Sequence, residues 1–567
     1  MWIDDWDIQV DASPVYHFIK TQYPAEEDKE FESGSQISLG ELTPLMAKNL
    51  DILGRVWGFL KYYHPAVIDG DKNWDFELFR IMPAIAKAPG KKELNRILID
   101  FIDGLGDFHT KDYAISDPEL YSCRIDLSWL NDQQMFDRNL MDKLNRIKNA
   151  DRPDKVNYYV IPFRGGARDR NFRAEKTYRV SWEDQGFRLL ALFRFWNVME
   201  YNFPYKYLTD HAWTDVLPKY LPKFFNPESE ADFNAALYML TAEINDSHGR
   251  LVFNGTLEGT PAAAFGLKRL PVGLTESAEG KMTVFTDCPE LDAGDVIIEV
   301  EGKPVKKIME DLAPYTAASN PAALSRNMRG YILAYDSLPL HVKIERDGKV
   351  IPVELKFKGA GQVLRKTMDE YKKENKDIVF LNVGRMRSTE LVNTVKDNMD
   401  AKGIVFDLRE YPRDFFSFFK LTEILLPDTA INLWFSSQVL SYPGNYKKYN
   451  ECPIGYRNPD YFKGRVAVLV NEGTQSLGEM TAIALRNAPD AVVIGSQTAG
   501  ADGNITGFNM PYQGMTANYT VLGAYYPDWG QCQRTGVKID IEVRPTVEDI
   551  RNKKDVLIEK AIEYIRN

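Results

Sequence analysis

Ser476 lies where the sequence predicts that a strand turns into a helix. Residues 466–470 form a continuous apolar, β-branched run, residues 471–473 are typical of a turn, and Met480 and Ile483 recur at helical spacing. A serine at a helix start has its hydroxyl close to unpaired backbone N–H groups and to the positive end of the helix dipole. That position can hold a nucleophile and stabilise an oxyanion, although on local pattern alone a helix N-cap is the more common role.

A serine nucleophile needs a base, and His248 is the best candidate among the six histidines. His109 and His248 occupy matching positions in two similar segments, and each follows an apolar helical pattern and an aspartate. His248 leads directly into the β-rich and α/β parts of the chain, and the neighbouring hydroxyl of Ser247 could orient its imidazole. His109 has Phe108 beside it instead, so we interpret it as a structural copy.

The two histidines lie near the C-terminal ends of the two copies of an internal duplication. Residues near 50–112 align without a gap to residues near 189–251, at an offset of 139, and the alignment ends on Asp107-Phe-His109 and Asp246-Ser-His248. Each copy predicts two or three amphipathic helices with aromatic residues at helical spacing, for which a core role is favoured. Between the copies, residues 116–180 contain short alternating runs at 156–161 and 177–180, which predict a small β-rich or mixed segment.

The second half of the chain changes to β and then to alternating strand and helix patterns. Residues 258–358 contain a hairpin signal at 346–349 between two apolar runs. Farther along, the predicted strands are 378–383, 403–409, 466–470 and 491–495, and the predicted helices are 388–399 and the segment after Ser476. This progression of near-continuous apolar strands predicts a buried, largely parallel sheet. Functional groups should lie at the C-terminal ends of its strands, as Arg409 and Ser476 do.

Composition narrows the function classes. At 567 residues the chain predicts three or four domains, and its net charge of −11 argues against nucleic acid as the main partner. No apolar run approaches the roughly 18–20 residues that span a bilayer, and no signal-peptide pattern is present in the sequence shown. The four cysteines form no C-x-x-C pair and no two histidines have ligand spacing, so neither a metal nor another cofactor is predicted.

Several motifs, taken in order, resemble those of the tail-specific (C-terminal processing) serine peptidases. They are N-x-x-T-x-S-x-x-E at 471–479, D-L-R at 407–409, G-x-x-T-x-G at 495–500 and G-V-x-x-D at 536–540. The β-rich segment resembles a PDZ domain through its G-D-x-I-x-x-V-x-G run at 294–302. The resemblance implies a multidomain α/β fold. Its parts would be a ClpP/crotonase-like parallel-sheet protease core, a PDZ-like β domain that takes extended peptides, and the duplicated helical domain.

The resemblance also implies the catalytic residues. One branch of the family uses a Ser/Lys dyad, but Ala501 stands at the lysine position. The tricorn-like branch uses a serine, a histidine, a second serine and a glutamate. Ser476, His248 and Ser247 match the first three, and Gln533 stands nearest the expected glutamate. An amide there can hydrogen-bond Ser247 but cannot stabilise an imidazolium by charge.

Two backbone N–H groups are expected to form the oxyanion hole. One belongs to Leu477, which follows the nucleophile, and the other is expected near Arg413. The loop at 410–414 lacks the glycines that the family usually has there. Loss of one such donor costs about 3 kcal/mol in known proteases, so its placement matters.

The sequence therefore predicts a serine endopeptidase that cleaves unfolded or extended polypeptides, C-terminal tails among them. Two alternatives stay open: a catalytically impaired peptide-binding protein on the same fold, and a carrier of apolar small molecules, which the aromatic content permits. The oligomeric state is left open, and the resemblance implies a periplasmic, extracellular or lipoprotein-anchored protein. The predicted divisions are an N-terminal segment (1–45), helical repeat 1 (46–115), a β-rich or mixed segment (116–180), helical repeat 2 (181–256), a PDZ-like domain (257–360) and the α/β peptidase domain (361–567).

Overall fold

The computed structural model describes residues 9–10, 13–14, 23–113, 117–152, 157–160, 172, 174–254, 268–356, 362–363 and 367–567. The helices are α1 (Pro44–Tyr63), α2 (Pro65–Ile68), α3 (Trp74–Ala86), α4 (Lys91–Asp103), α5 (Arg138–Lys148), α6 (Gln185–Asn202), α7 (Trp213–Phe225), α8 (Glu230–Ala242), α9 (Val305–Leu312), α10 (Pro321–Arg329), α11 (Met368–Glu374), α12 (Ser388–Lys396), α13 (Ser417–Leu425), α14 (Leu477–Leu485), α15 (Val547–Arg551) and α16 (Val556–Arg566). The strands are β1 (Gln9–Val10), β2 (Ser13–Pro14), β3 (Tyr121–Cys123), β4 (Arg250–Phe253), β5 (Lys268–Arg269), β6 (Leu274–Glu276), β7 (Met282–Val284), β8 (Thr286–Asp287), β9 (Val296–Val300), β10 (Lys303–Pro304), β11 (Ala334–Tyr335), β12 (Leu340–Arg346), β13 (Lys349–Leu355), β14 (Gln362–Val363), β15 (Ile378–Asn382), β16 (Gly403–Asp407), β17 (Ala430–Gln438), β18 (Tyr446–Ile454), β19 (Arg465–Val470), β20 (Ala491–Gly495), β21 (Ile505–Asn509), β22 (Met515–Thr520), β23 (Gly523–Tyr525) and β24 (Ile541–Glu542).

Two similar groups of three helices form the N-terminal part of the fold. We call them the helical triplets: α1, α3 and α4 form the first, and α6, α7 and α8 form the second. Helices α3 and α4 begin and end at positions that match α7 and α8 at the offset of the sequence repeat. In each triplet two tryptophans exchange hydrogen bonds, because each indole N–H donates to the other residue's carbonyl oxygen. The distances are 2.8 and 2.9 Å for Trp57 and Trp74, and 2.9 and 3.1 Å for Trp196 and Trp213. All four rings are buried, which is the predicted core role of these aromatics.

A buried ion network ties the helices to the C-terminal part of the chain. The guanidinium of Arg194 lies 3.0 Å from Glu175 and donates a 2.8 Å hydrogen bond to the carbonyl oxygen of Asn509 in β21. Lys61 lies 2.6 Å from the other oxygen of Glu175. Because each charge in the network has an opposite partner, this contact can hold in the interior, where an unpaired charge would be strongly destabilising.

Residues 268–356 form an antiparallel sheet with helices α9 and α10. The strand order is β13-β12-β9-β7-β6, and β10 also pairs with β9. In β12, Leu340, Val342 and Ile344 are buried and alternate with exposed residues, as expected for a sheet with one covered face. The hairpin predicted at 346–349 is confirmed, since β12 and β13 pair from Arg346 opposite Lys349.

The predicted parallel sheet is confirmed and has the order β15-β16-β19-β20-β24. Val466, Val468 and Val470 of β19 belong to the core that contains α14, whereas Ala467 and Leu469 belong to the core that contains α16. Burial on both faces explains why the strand reads as a continuous apolar run. The carboxyl ends of β16 and β19 meet at one edge, which we call the carboxyl edge.

A second, three-stranded antiparallel sheet brings the helical part to this edge. Its order is β21-β22-β4, with Arg250 of β4 opposite Asn518 of β22. Strand β4 begins two residues after His248, and β22 ends at Thr520. Pairing of these strands therefore brings together two segments that lie far apart in sequence.

The segment between the helical copies differs from its prediction. Helix α5 occupies its middle and buries Leu140, Leu144 and Ile147 at helical spacing, a pattern that the alternating runs obscured. Residues 157–160 form no strand, and positions 156 and 161 lie outside the described residues. At 177–180 the structure has only an isolated bridge, between Tyr178 and Tyr512. The fold as a whole is mixed α/β, with a helical N-terminal region and several sheets.

Candidate active site

Ser476 lies at the carboxyl edge, directly before α14. Its backbone has φ 55° and ψ −119°, a left-handed conformation that is costly for a residue with a Cβ and is characteristic of functional turns. Its N–H donates a 3.0 Å hydrogen bond to the carbonyl oxygen of Ala501. The strained turn therefore places the half-buried serine side chain at the start of the helix.

The residues that precede Ser476 fix this turn. Asn471 Oδ1 accepts a hydrogen bond from the Gly473 N–H at 2.9 Å, and Thr474 Oγ1 accepts one from the Asn471 N–H at 3.2 Å. The same threonine hydroxyl donates to the carbonyl oxygen of Leu408 at 2.9 Å, which ties the turn to the end of β16. The N-x-x-T part of the motif is thus a scaffold for the serine.

Glu479 joins the turn to the loop that follows β20. Its buried carboxylate accepts four hydrogen bonds: from Thr498 Oγ1 at 2.5 Å and from the N–H groups of Gly500, Ala501 and Ser476 at 2.8, 3.0 and 3.2 Å. Burial raises the pKa of Glu479, while the hydrogen bonds act to lower it. The motif residues Asn471, Thr474 and Glu479 thus form one hydrogen-bonded frame around Ser476.

His248 lies between α8 and β4 and is buried, with 5% of its surface exposed. Its Nδ1 lies 2.8 Å from Thr520 Oγ1, at the end of β22. Burial lowers the pKa of His248 below its ordinary value, and the negative charge of Asp246 acts in the opposite direction. The imidazole is therefore neutral near pH 7, as a general base must be.

Asp246 is the carboxylate nearest to this imidazole. It is completely buried, and its Oδ1 lies 3.9 Å from His248 Nδ1. Oδ1 accepts hydrogen bonds from the His248 N–H at 3.0 Å and from Gln533 Nε2 at 3.2 Å, and Oδ2 accepts one from the Thr520 N–H at 2.8 Å. The aspartate therefore fixes both the histidine and the residue that contacts its ring.

The segments that carry Ser476 and His248 are in direct contact. Gln475 Nε2 donates a 3.4 Å hydrogen bond to the carbonyl oxygen of Ser247, so residues adjacent to the two predicted catalytic residues are bonded to each other. Arg326 of α10 supports this contact by donating to Gln475 Oε1 at 2.8 Å. Within the described residues no hydrogen bond joins the side chains of Ser476 and His248, and such bonds often tighten only when substrate binds.

Ser247 and Gln533 lie in the site, but within the described part of the chain neither side chain is hydrogen-bonded to the imidazole. The hydroxyl of Ser247 donates to the Ala499 carbonyl oxygen at 3.2 Å and accepts from the Ser319 N–H at 2.9 Å. Gln533 reaches Ser319 Oγ at 3.4 Å as well as Asp246. The hydroxyl at Nδ1 belongs instead to Thr520, because the backbone turn at 246–248 directs Ser247 toward 319 and 499. The sequence analysis missed Asp246 and Thr520.

One of the two predicted oxyanion donors already has an acceptor in this structure. The N–H of Arg413 donates to the carbonyl oxygen of Val383 at 3.2 Å, and its side chain donates to the Arg385 carbonyl oxygen at 2.9 Å. That amide is therefore hydrogen-bonded to the residue that follows β15. The N–H of Leu477, at the first position of α14, has no acceptor among the described residues and is available.

The sequence model of peptidase family S41 matches residues 377–543, which include the parallel sheet, Ser476 and Gln533. The chain carries a peptidase domain of family S41. It is therefore a serine-type peptidase, and the helical triplets, the 268–356 sheet and His248 lie N-terminal to the matched segment.

Structures of mature CPAF share the fold of this chain over 67% of its length. Mature CPAF complexed with lactacystin has a TM-score of 0.53 and 14% identity, over 67% of this chain and 99% of the other. Mature CPAF alone has a TM-score of 0.52 and 15% identity, over 67% and 98%. The photosystem II D1 C-terminal processing protease matches over 63% of this chain and 93% of its own, with 16% identity and a TM-score of 0.37. No curated protein matches the chain significantly in sequence.

The position that the resemblance gives to a lysine base lies within the matched segment. Ala501 occupies that position, is fully buried and contributes only its backbone, through the Glu479 and Ser476 hydrogen bonds. Among the described residues no group of three His, Cys, Asp or Glu side chains could hold a metal ion. None of the described helices is long and apolar enough to cross a membrane.

Proposed function

We propose that this S41 peptidase hydrolyses unfolded or extended polypeptides, C-terminal tails among them, with Ser476 as nucleophile and His248 as general base. The observation that carries the proposal is the strained Ser476 turn, which is hydrogen-bonded through Gln475 to the segment of His248. A serine at a helix start and a buried imidazole on a contacting segment are the two groups that acyl transfer requires.

The reaction follows from this placement. For His248 Nε2 to accept a proton, Nδ1 must carry one and donate it to Thr520 Oγ1. Ser476 Oγ attacks the peptide carbonyl carbon while Nε2 takes its proton, and the oxyanion faces the Leu477 N–H. The imidazolium then protonates the leaving amine as the C–N bond breaks. A water molecule, activated by the same nitrogen, hydrolyses the acyl-enzyme and restores the serine.

Asp246 and Thr520 are proposed to take the orienting role that the resemblance gave to Ser247 and a glutamate. Thr520 contacts Nδ1, and the Asp246 carboxylate lies 3.9 Å away, close enough to stabilise the imidazolium by charge. Gln533 and Ser247 are proposed to support these groups indirectly, through Ser319. The full charge that Gln533 cannot supply is thus available from Asp246.

The remaining parts of the chain have proposed roles in delivering substrate. We assign the duplicated helical unit, the PDZ-like unit at 257–360 and the peptidase domain at 361–567 as separate domains. The PDZ-like sheet would present an extended peptide by strand addition. On the family resemblance we propose that the protein acts in the periplasm, outside the cell or on a lipoprotein anchor.

The occupied Arg413 amide supports a second candidate, a peptide-binding protein with impaired catalysis. With one N–H at the oxyanion position, the barrier would be higher by about 3 kcal/mol. Turnover with the Leu477 N–H alone would then be slower by about 10²-fold, and full activity would need a second donor other than the Arg413 N–H.

Covalent labelling of the intact chain by a fluorophosphonate, followed by peptide mass mapping, tests the proposal. We expect modification on Ser476, loss of labelling in His248→Ala and retention in Ser247→Ala. Labelling at another serine would refute the assignment of the nucleophile. No labelling of the folded chain would favour the peptide-binding candidate.

A further inference from the structure

Three aromatic side chains lie exposed on the segment that follows β16. The exposed fractions are 57% for Tyr411, 55% for Phe415 and 65% for Phe416. The two phenylalanine rings stand edge to face, with centroids 5.5 Å apart, and are the only exposed phenylalanines in the described part of the chain. We call these three residues the aromatic rim. Contiguous exposed apolar rings of this kind mark interaction sites.

The segment that carries the aromatic rim is fixed beside the nucleophile. Pro412 packs on the first turn of α14, since a Cβ on Gly478 would lie 3.6 Å from its Cδ. At the far end, Asp414 Oδ2 accepts hydrogen bonds from the N–H and the hydroxyl of Ser388 at 2.6 and 2.8 Å. The rim is therefore held at the carboxyl edge, where Ser476 also lies.

The aromatic rim continues the hydrophobic core of the nucleophile helix to the surface. The ring of Phe415 lies 6.1 Å from that of Phe418, measured between centroids. Phe418 is fully buried and belongs to the same core as Leu477 and Met480. An apolar path thus runs from the first turn of α14 to the exposed rings.

We propose that the aromatic rim is a subsite that binds apolar side chains of the polypeptide beside the scissile bond. This inference rests on the proposed function and names the substrate class more closely. Rigid rings offer a large apolar area at little conformational cost. Folded proteins bury their apolar side chains, whereas unfolded chains expose them. The rim therefore selects unfolded, apolar segments over folded surfaces.

A substrate segment is the occupant that the position favours. The rim shares a segment with Pro412, which packs against the first turn of α14, where the Leu477 N–H lies. An extended peptide whose carbonyl lies at Leu477 has neighbouring side chains within a few ångströms, since residues in a strand are about 3.3 Å apart. A second copy of this chain is the competing occupant and is distinguished below.

The test compares two fluorescent peptides of otherwise identical sequence. The apolar peptide has Leu and Phe on either side of one central residue, and the polar peptide has Ser and Gln there. Binding is measured by fluorescence anisotropy on the Ser476→Ala chain, so that a dissociation constant is obtained whether or not the intact chain cleaves. We expect Phe415→Ser with Phe416→Ser to reduce the apolar-to-polar affinity ratio about tenfold. Tyr449→Ser removes a ring that is 70% exposed on β18 and should leave the ratio unchanged.

The outcomes separate this inference from the proposed function. An unchanged ratio in the double variant would refute the subsite, even if the intact chain cleaves. A reduced ratio supports the subsite, even if labelling shows that Ser476 is not the nucleophile. Conversion of a dimer to a monomer in the double variant by sedimentation velocity, with the ratio unchanged, would assign the rim to a second copy instead.

Discussion

Replacement of Asp246 by asparagine should lower kcat/KM by about 10²- to 10³-fold. The carboxylate lies 3.9 Å from His248 Nδ1 in a fully buried position. At that distance and an effective dielectric constant of about 20, its attraction to an imidazolium is about 4 kcal/mol. Tenfold in rate corresponds to about 1.4 kcal/mol, and the asparagine keeps a dipole, so the full thousandfold is an upper bound.

The assay is the pH dependence of kcat/KM on an unfolded polypeptide, for the intact chain and Asp246→Asn. Activity requires neutral His248, so it falls as the pH drops through the pKa of that residue in the free enzyme. Burial lowers that pKa and Asp246 raises it, so the variant should lose activity at every pH while its acid limb moves to lower pH. A change that is only structural would reduce activity without moving the limb.

The helical repeat supplies a matched control. Asp107 precedes His109 as Asp246 precedes His248, but its side chain is 96% exposed. Asp107→Asn should therefore leave both the rate and the pH profile unchanged. If Asp246→Asn retained kcat/KM within about threefold of the intact chain, the electrostatic role assigned to Asp246 would be refuted.

Three further predictions follow from the contacts around the site and in the helical unit. Thr520→Val removes the hydroxyl that contacts His248 Nδ1, and in steady-state kinetics it should lower kcat about tenfold with KM little changed. Thr520→Ser keeps a hydroxyl and should retain the kcat of the intact chain. Arg326→Ala removes the hydrogen bond to Gln475, and we expect a fall in kcat of about the same size. Arg326→Lys should recover part of this activity. Equal losses of kcat in the two variants would argue against a positioning role for Arg326. Burial lowers the pKa of His64 from 6.5 to about 4. The unfolded chain therefore binds the proton first, and the free energy of unfolding should fall by about 3 kcal/mol as the pH drops from about 6.5 to 4. Urea titrations at several pH values would measure this loss, which His64→Phe should abolish.

The parts of the site that local sequence determines were predictable. The strand before Ser476, the turn and the helix after it depend on patterns within about twenty residues, and the structure has all three. The parallel sheet was predictable for the same reason, since burial on both faces leaves a continuous apolar run. Helices of the two copies were predictable because the repeat aligns without a gap.

The environment of His248 was not predictable in full. Thr520 is 272 residues away, and only the pairing of β4 with β22 brings it to Nδ1. Asp246 did carry a signal, because the D-x-H pattern occurs in both copies. Because Ser247 is adjacent to His248 in sequence, it was the predicted partner of the imidazole. The backbone turn instead directs the Ser247 hydroxyl to the carbonyl oxygen of Ala499. The acceptor of the Arg413 N–H is Val383, which is 30 residues away in sequence, so the loop sequence alone could not reveal it.

The most direct test of the central claim is proteolysis of an unfolded protein substrate by the intact chain, Ser476→Ala, His248→Ala and His109→Ala in parallel. We expect cleavage by the intact chain and by His109→Ala, whose exposed histidine is the repeat counterpart of His248. Cleavage should be lost in the other two variants, with folding retained by circular dichroism. Cleavage that survives in Ser476→Ala, or in His248→Ala at an undiminished rate, would contradict the Ser476/His248 account.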